Sequence, residues 1–259
     1  MSSQASSQTP ADRSDEVRTL YDLFTSNFHA VGAGKAFADW TKLTVAALCG
    51  DEKTYRDLIE QYDDLTNAAP TSSDHPGAVF AEATAEFVAA RQNPEAPPDV
   101  LGEVYMDLSH HSDRLGQHFT PHSLVEMMAK FGALDQQVGT EGAEESTPPI
   151  PHLSGTSIAD PACGSGRMLL VAAKHTEDCW VHGVDVDPTC ARMAALNCWV
   201  NEIDALIVHG DSIKAETHSA YTVNSTPEGT ATNLITALLG TDPNWPKSQL
   251  AKVESIEET

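Results

Sequence analysis

The sequence predicts an α/β protein in which a parallel sheet with helices on both faces follows a helical N-terminal region. Three observations carry that expectation. Short β-prone runs at Ser157-Ile158, Trp180 to Val184 and Ala205 to His209 each lead to an acid, and the segments between them have helical spacing, giving the order βαβαβ. Those strands stand too far apart for hairpins, which leaves parallel pairing through crossover helices. The first hundred residues show apolar stripes at three- and four-residue intervals and no strand signal.

Residues 1–15 are rich in Ser, Gln and Thr without an apolar core, which predicts a disordered tail and not a signal peptide. A helical region is expected over 16–108. Leu20, Leu23 and Phe24 share one face of a first helix, and Phe37, Trp40, Leu43 and Val45 continue the pattern. Tyr55, Leu58, Ile59 and Tyr62 mark a helix opened by Asp51 and Glu52, and Val79, Phe80, Ala83, Phe87 and Val88 trace another stripe. All of these stripes read as core. Three prolines punctuate 94–99, and Leu101 to Leu108 resumes the chain.

A second region is expected over 109–259. Thr120-Pro121 reads as a helix start, because Thr caps free N–H groups and Pro suits the first helical position. Leu124, Met127, Met128 and Phe131 then face one way. Residues 136–155, low in apolar content and rich in Gly, Glu and Pro, are expected to form a loop inserted before the first strand. Cys49, Cys163, Cys179, Cys190 and Cys198 have no Cys-x-x-Cys spacing and read as small buried hydrophobes in a reducing compartment. His110, His111, His118 and His122 lack the supporting acid or Cys of a metal site, so no metal is assigned.

The chemistry concentrates at Asp160-Pro161-Ala162-Cys163-Gly164-Ser165-Gly166. A strand running into a Gly-Ser-Gly turn and then a helix lets the backbone approach a ligand and points free N–H groups at its polar end. Asp160 adds a carboxylate beside the turn, which suits a ligand carrying positive charge. S-adenosylmethionine, with its ammonium and sulfonium, is such a ligand. Asp185 lies 21 positions after Gly164, near the spacing at which an acid on the second strand meets ribose hydroxyls in nucleotide-binding α/β folds. A third strand ends in Gly210-Asp211-Ser212, so three strands deliver acids to one sheet edge, where such sheets bind ligands.

These residues also carry a resemblance. Asp160 to Gly166 is similar to the Asp-Pro-x-x-Gly-Ser-Gly cofactor motif of amino-methylating DNA methyltransferases. Gly116-Gln117-His118-Phe119-Thr120-Pro121 resembles the Gly-Gln-Phe-Phe-Thr-Pro signature of adenine-N6 methyltransferases related to the modification subunit of type I restriction systems. Asp99-Val100-Leu101-Gly102-Glu103-Val104-Tyr105 resembles the Asp-x-Leu-Gly-x-x-Tyr stretch preceding it. The closer likeness is to short phage- and plasmid-type members. The resemblance implies a Rossmann-like methyltransferase sheet, S-adenosylmethionine as cofactor, adenine-specific DNA methylation as the activity and DNA as partner. It further implies a cofactor site formed by Phe119, Thr120, Pro121, Asp160, Pro161, Ala162, Gly164, Gly166, Asp185, Val186, Asp211 and Ser212. In it, Asp160 and the glycine turn hold the methionine moiety, Asp185 the ribose and Asp211 the adenine amino group, with Val186 against the adenine ring.

The family's Asn/Asp-Pro-Pro-aromatic tetrad, which accepts the amine hydrogens and stacks on the flipped base, has no match. The nearest substitutes are Asn224, after a fourth strand at Ala220 to Val223, with Tyr221 or Trp245 as the ring. The sequence stops about where later strands and a DNA-target region would begin, so a domain truncated after the fourth strand is expected. Two rivals follow: a non-catalytic cofactor-binding or assembly subunit whose partner supplies catalysis or target recognition, and a methyltransferase acting on RNA, protein or a small molecule.

The formal charge of −23, from 38 acids against 15 bases, runs against ordinary DNA binding, where Lys and Arg neutralise phosphates. A salt-loaded cytoplasm would remove the conflict, because at about 1 M salt the Debye length falls to about 3 Å and only local contacts count; the alternative is an ordinary acidic enzyme with no nucleic-acid partner. The expected protein is halophilic and cytoplasmic. No apolar run approaches 18 residues, so no membrane span is expected.

Overall fold

The computed structural model describes residues 14–68, 75–109, 120, 125–126, 155–225 and 231–238. Helix α1 (Asp15–Asn27) is capped by Ser14, whose hydroxyl accepts from the Val17 N–H, and its first turn carries Asp15 and Glu16 at the positive end of the helix. Helix α2 (Ala33–Cys49) stops at Gly50, which takes the left-handed conformation that ends helices at low cost. Asp51 then accepts from the Thr54 N–H at 3.0 Å and opens α3 (Glu52–Ala68). Helices α4 (Pro76–Ala90) and α5 (Val100–Ser109) complete the N-terminal region.

Their stripes meet in an aromatic core of Phe24, Phe28, Phe37, Trp40, Tyr62, Phe80 and Phe87. Phe28 stacks on Phe80 with centroids 5.0 Å apart, and Phe24 meets Phe37 edge to face at 5.3 Å. The indole of Trp40 is satisfied where it is buried, donating to the Phe80 carbonyl and the Thr84 hydroxyl. Two members of the expected stripes are not core: Tyr55 is 41% and Val88 39% exposed, at the margins where the stripes turn towards solvent.

The second region forms one five-stranded sheet in the order β1-β2-β3-β4-β5. Strands β1 (Thr156–Asp160), β2 (Cys179–Asp185) and β3 (Ala205–Asp211) are parallel, joined by α6 (Arg167–Lys174) and α7 (Pro188–Val200). Asp187 caps α7 by accepting from the Thr189 N–H at 2.7 Å, and Pro188 occupies the first helical position.

Three expectations need correction. The expected wholly parallel sheet is mixed, because β4 (Glu216–Ser225) runs antiparallel to β3, with Ile207 opposite Tyr221 and Ala205 opposite Val223. The strand begins four residues before its apolar run, leaving only Ser212 to Ala215 to connect it, too few for a crossover. The Asp211 carboxylate closes this turn by accepting from the Ile213 and Lys214 N–H groups at 3.0 and 3.1 Å. Secondly, β5 (Ala231–Leu238), which the sequence reading did not foresee, pairs antiparallel with β4. Thirdly, both crossover helices lie on one face. Leu169 and Leu170 of α6 and Met193 and Leu196 of α7 share a cluster with Val181, Ile207, Tyr221 and Val223, and that cluster continues into the N-terminal helices. Among the described residues, the opposite face carries a separate cluster of strand side chains: Trp180, Leu206, Val208 and Ala220, with Val184 against it.

Candidate functional site

The parallel register sets Asp160 opposite Gly183 and Asp185 opposite His209, so Asp160, Asp185 and Asp211 all stand at the carboxyl ends of three neighbouring strands. All three are half-buried. Between β1 and α6 the chain turns through Gly164 (φ +55°) and Gly166 (φ +85°), both left-handed. A Cβ at Gly166 would come within 3.2 Å of Ala194, so this glycine also lets α6 approach α7. Gly166 stands at the N-cap of α6 without a side-chain capping bond, which leaves the helix's first N–H groups without a side-chain acceptor there.

The acids hold the turn in place. One oxygen of Asp160 accepts from the Ala162 N–H at 3.0 Å. Asp185 bridges two loops, accepting from the Gly164 N–H through Oδ2 and from the Asp187 N–H through Oδ1, each at 2.8 Å. Each of its oxygens keeps a second lone pair for a ligand hydroxyl. Asp211 is more committed: Oδ1 accepts two backbone N–H groups, and Oδ2 lies 2.9 Å from Lys214 Nζ. Hydrogen bonds from Lys214, first among the causes, hold the Asp211 carboxyl below its ordinary value. Pro161, Ala162 and Ser212 are exposed beside these acids, and Val186, just past β2, is 63% exposed at the same edge. Ile213, 96% exposed, follows the end of β3.

Thr120 is half-buried, and its carbonyl accepts from Arg167 Nη1 at 3.2 Å, which ties this residue to the first residue of α6. Phe119 and Pro121 lie outside the described residues, as do the four clustered histidines, Leu124, Met127, Met128, Phe131, Trp245 and residues 136–154 of the expected inserted loop.

Asn224 is not at this edge. Because β4 is antiparallel, Asn224 lies near the start of β3, where its Nδ2 donates to the Ile203 carbonyl at 3.1 Å. Tyr221 belongs to the buried core beneath the sheet and offers no exposed ring. Neither can stand in for the missing tetrad at the edge where the three acids end their strands.

Sequence reasoning missed several side chains that build the site. Asp99, only 2% exposed, is met by Ser165, Arg167, Asn197 and the Gly102 N–H. Its signal was the Asp99 to Tyr105 stretch quoted for the resemblance, in which neither Asp99 nor Tyr105 had been given a role. Tyr105 of α5 has Asp187 and Asp185 among its charged neighbours, and burial first, then those acids, pushes its phenol up to about 12. Cys163, Cys190 and Cys198 are buried, and burial pushes each thiol upward. They are unreactive filling around the turn.

A carboxyl edge bearing a left-handed glycine turn and an acid at the end of each parallel strand is where open α/β sheets bind small polar ligands. A family model described as N-6 DNA Methylase matches residues 97–244, more than half of the chain, and the protein belongs to this family of adenine-N6 DNA methyltransferases. The family normally uses S-adenosylmethionine. No curated protein and no solved structure matches. Among the described residues, no helix is long and apolar enough to cross a membrane.

Proposed function

We propose that the carboxyl edge of this sheet binds S-adenosylmethionine and that the chain acts in adenine-N6 methylation of DNA. The observation that carries the reading is the Asp185 bridge: one carboxylate pins the glycine turn and the loop leading to Val186, with lone pairs to spare for ribose hydroxyls. Asp160 suits the ammonium of the methionine moiety, and the exposed Val186 suits an apolar adenine face. Asp211 is the weakest of the three acids for a ligand, since its own turn takes most of its accepting capacity. The bound cofactor would supply a methyl group on a sulfonium sulfur, open to in-line attack by an amine. Phe119, Thr120 and Pro121 are assigned to closing the pocket, and the Thr120 contact with Arg167 supports that assignment.

A second reading is favoured by Asn224. With that amide at the far end of the sheet and Tyr221 in the core, neither residue expected to replace the tetrad stands at the cofactor edge. In this reading the chain is the cofactor-holding member of a modification system, and a partner subunit brings the amine acceptors or the target recognition. The acidic surface fits a cytoplasm rich in salt, where screening removes the long-range repulsion from DNA.

The deciding measurement is calorimetry with S-adenosylmethionine in molar KCl, followed by labelled methyl transfer to DNA, RNA and protein. Binding with transfer to adenine in DNA supports the enzyme. Binding without transfer to any substrate supports the cofactor-holding subunit, transfer to RNA or protein alone rejects DNA as substrate, and no binding rejects both readings.

A further inference from the structure

We propose that Asp99 and Arg167 form a buried positioning pair that sets the Gly-Ser-Gly turn against Thr120 and so completes the cofactor site; the proposal rests on the cofactor reading above. Asp99 accepts four hydrogen bonds. Oδ2 takes the Ser165 hydroxyl and Arg167 Nε, each at 2.7 Å, while Oδ1 takes the Gly102 N–H and Asn197 Nδ2, each at 2.8 Å. A carboxylate has about four acceptor positions, so every one is filled. Arg167 uses the rest of its fork elsewhere: Nη1 donates to the Thr120 carbonyl at 3.2 Å, and Nη2 lies 2.8 Å from Glu103 Oε1. One guanidinium thus joins α5, the glycine turn and Thr120, which the cofactor reading places over the pocket.

Gluing α5 to the turn does not require charge. A buried ion pair contributes little net stability, because removing both partners from water offsets their attraction, and apolar side chains of similar volume serve stability as well or better. Burial alone pushes the Asp99 carboxyl up, against the pull of Arg167 and Ser165. What the pair adds is direction. A planar fork fixes the Asp99 and Thr120 acceptors at set angles, with Glu103 as a charge partner of Nη2, which a hydrophobic contact cannot do. Gly102 belongs to the same device, since a Cβ there would fall 2.2 Å from Asp99 Oδ2 and 2.4 Å from Ser165 Oγ.

The test uses Arg167→Lys in the full chain in molar KCl. Lysine keeps the charge and a bond to Asp99, but its point-like ammonium cannot also serve Thr120 and Glu103. The expected result is a fold with little change in thermal midpoint, S-adenosylmethionine affinity lowered about tenfold or more, and faster amide exchange in the ligand-free peptide carrying Thr120. Arg167→Met is the second variant; it strands a buried carboxylate and should lower the midpoint further. Affinity within twofold of the parent for Arg167→Lys overturns the proposal, and so does unchanged exchange at the Thr120 peptide. If the parent protein does not bind S-adenosylmethionine, the cofactor reading fails on that result, while the exchange measurement on ligand-free protein still decides whether the pair positions Thr120.

Discussion

Replacing Asp185 with alanine removes two hydrogen bonds from backbone N–H groups to a carboxylate, at 2.8 Å each. Bonds to a charged group contribute about 1.5–3 kcal/mol, and the lower end applies because the side chain is half-exposed and water can partly replace it. The loss is therefore about 3 kcal/mol, or roughly 6–12 °C in Tm for a protein of this size. If the same carboxylate also accepts a ribose hydroxyl, S-adenosylmethionine binding weakens by about another 1.5–3 kcal/mol, roughly 10- to 150-fold. The assays are thermal denaturation and calorimetry, both in molar KCl. Asp187→Ala is the control in the same loop: it removes the α7 cap, costs about 1 kcal/mol and should leave affinity within about threefold. A lowered Tm with unchanged affinity in Asp185→Ala would place the ribose elsewhere. An unchanged Tm would show that the bridge does not hold the two loops.

Other outcomes follow from the same geometry. Gly166→Ala must hold a left-handed φ of +85° with its Cβ 3.2 Å from Ala194, so it should destabilise by about 1–3 kcal/mol, read by chemical denaturation; no loss would mean that the turn relaxes freely. In KCl raised from 0.1 to 2 M, the midpoint of this chain of net charge −23 should climb as screening shortens the range of self-repulsion; a flat response would reject a salt-adapted surface. His182 and His209 are held below the ordinary histidine value, chiefly by burial, with His218 and Arg192 adding at His209. The unfolded chain therefore binds more protons than the folded one below about pH 6.5, and stability should fall as pH drops from there towards the folded values. His182→Gln should flatten that slope at fixed high salt, and an identical slope would exclude it as the source.

Much of this was legible because strand ends, caps and glycine turns are local. Asp187-Pro188 announces α7 by itself, and each parallel strand shows its acid at the boundary where its apolar run stops. The reversal at β4 was harder to see, since Glu216 to Ser219 look like loop and become strand only through their pairing with β3. Reading the strand from Ala220 lengthened the apparent connection and hid the hairpin, which carried Asn224 to the wrong end of the sheet. The Asp99 motif was visible in the sequence, but the partners that gather around it were not. Its partners Ser165, Arg167 and Asn197 are 66 to 98 positions away in sequence, and Asn197 stands among mostly apolar residues of α7.

Gly102 has a consequence for the history of such a chain. Because no larger residue fits between α5 and the turn, the helices and the sheet cannot be traded as separate cassettes. A recombinant that inherited its first hundred residues from a distant relative would have to bring an acid, a glycine and a matching arginine into register together. Drift in one half is thereby tied to drift in the other.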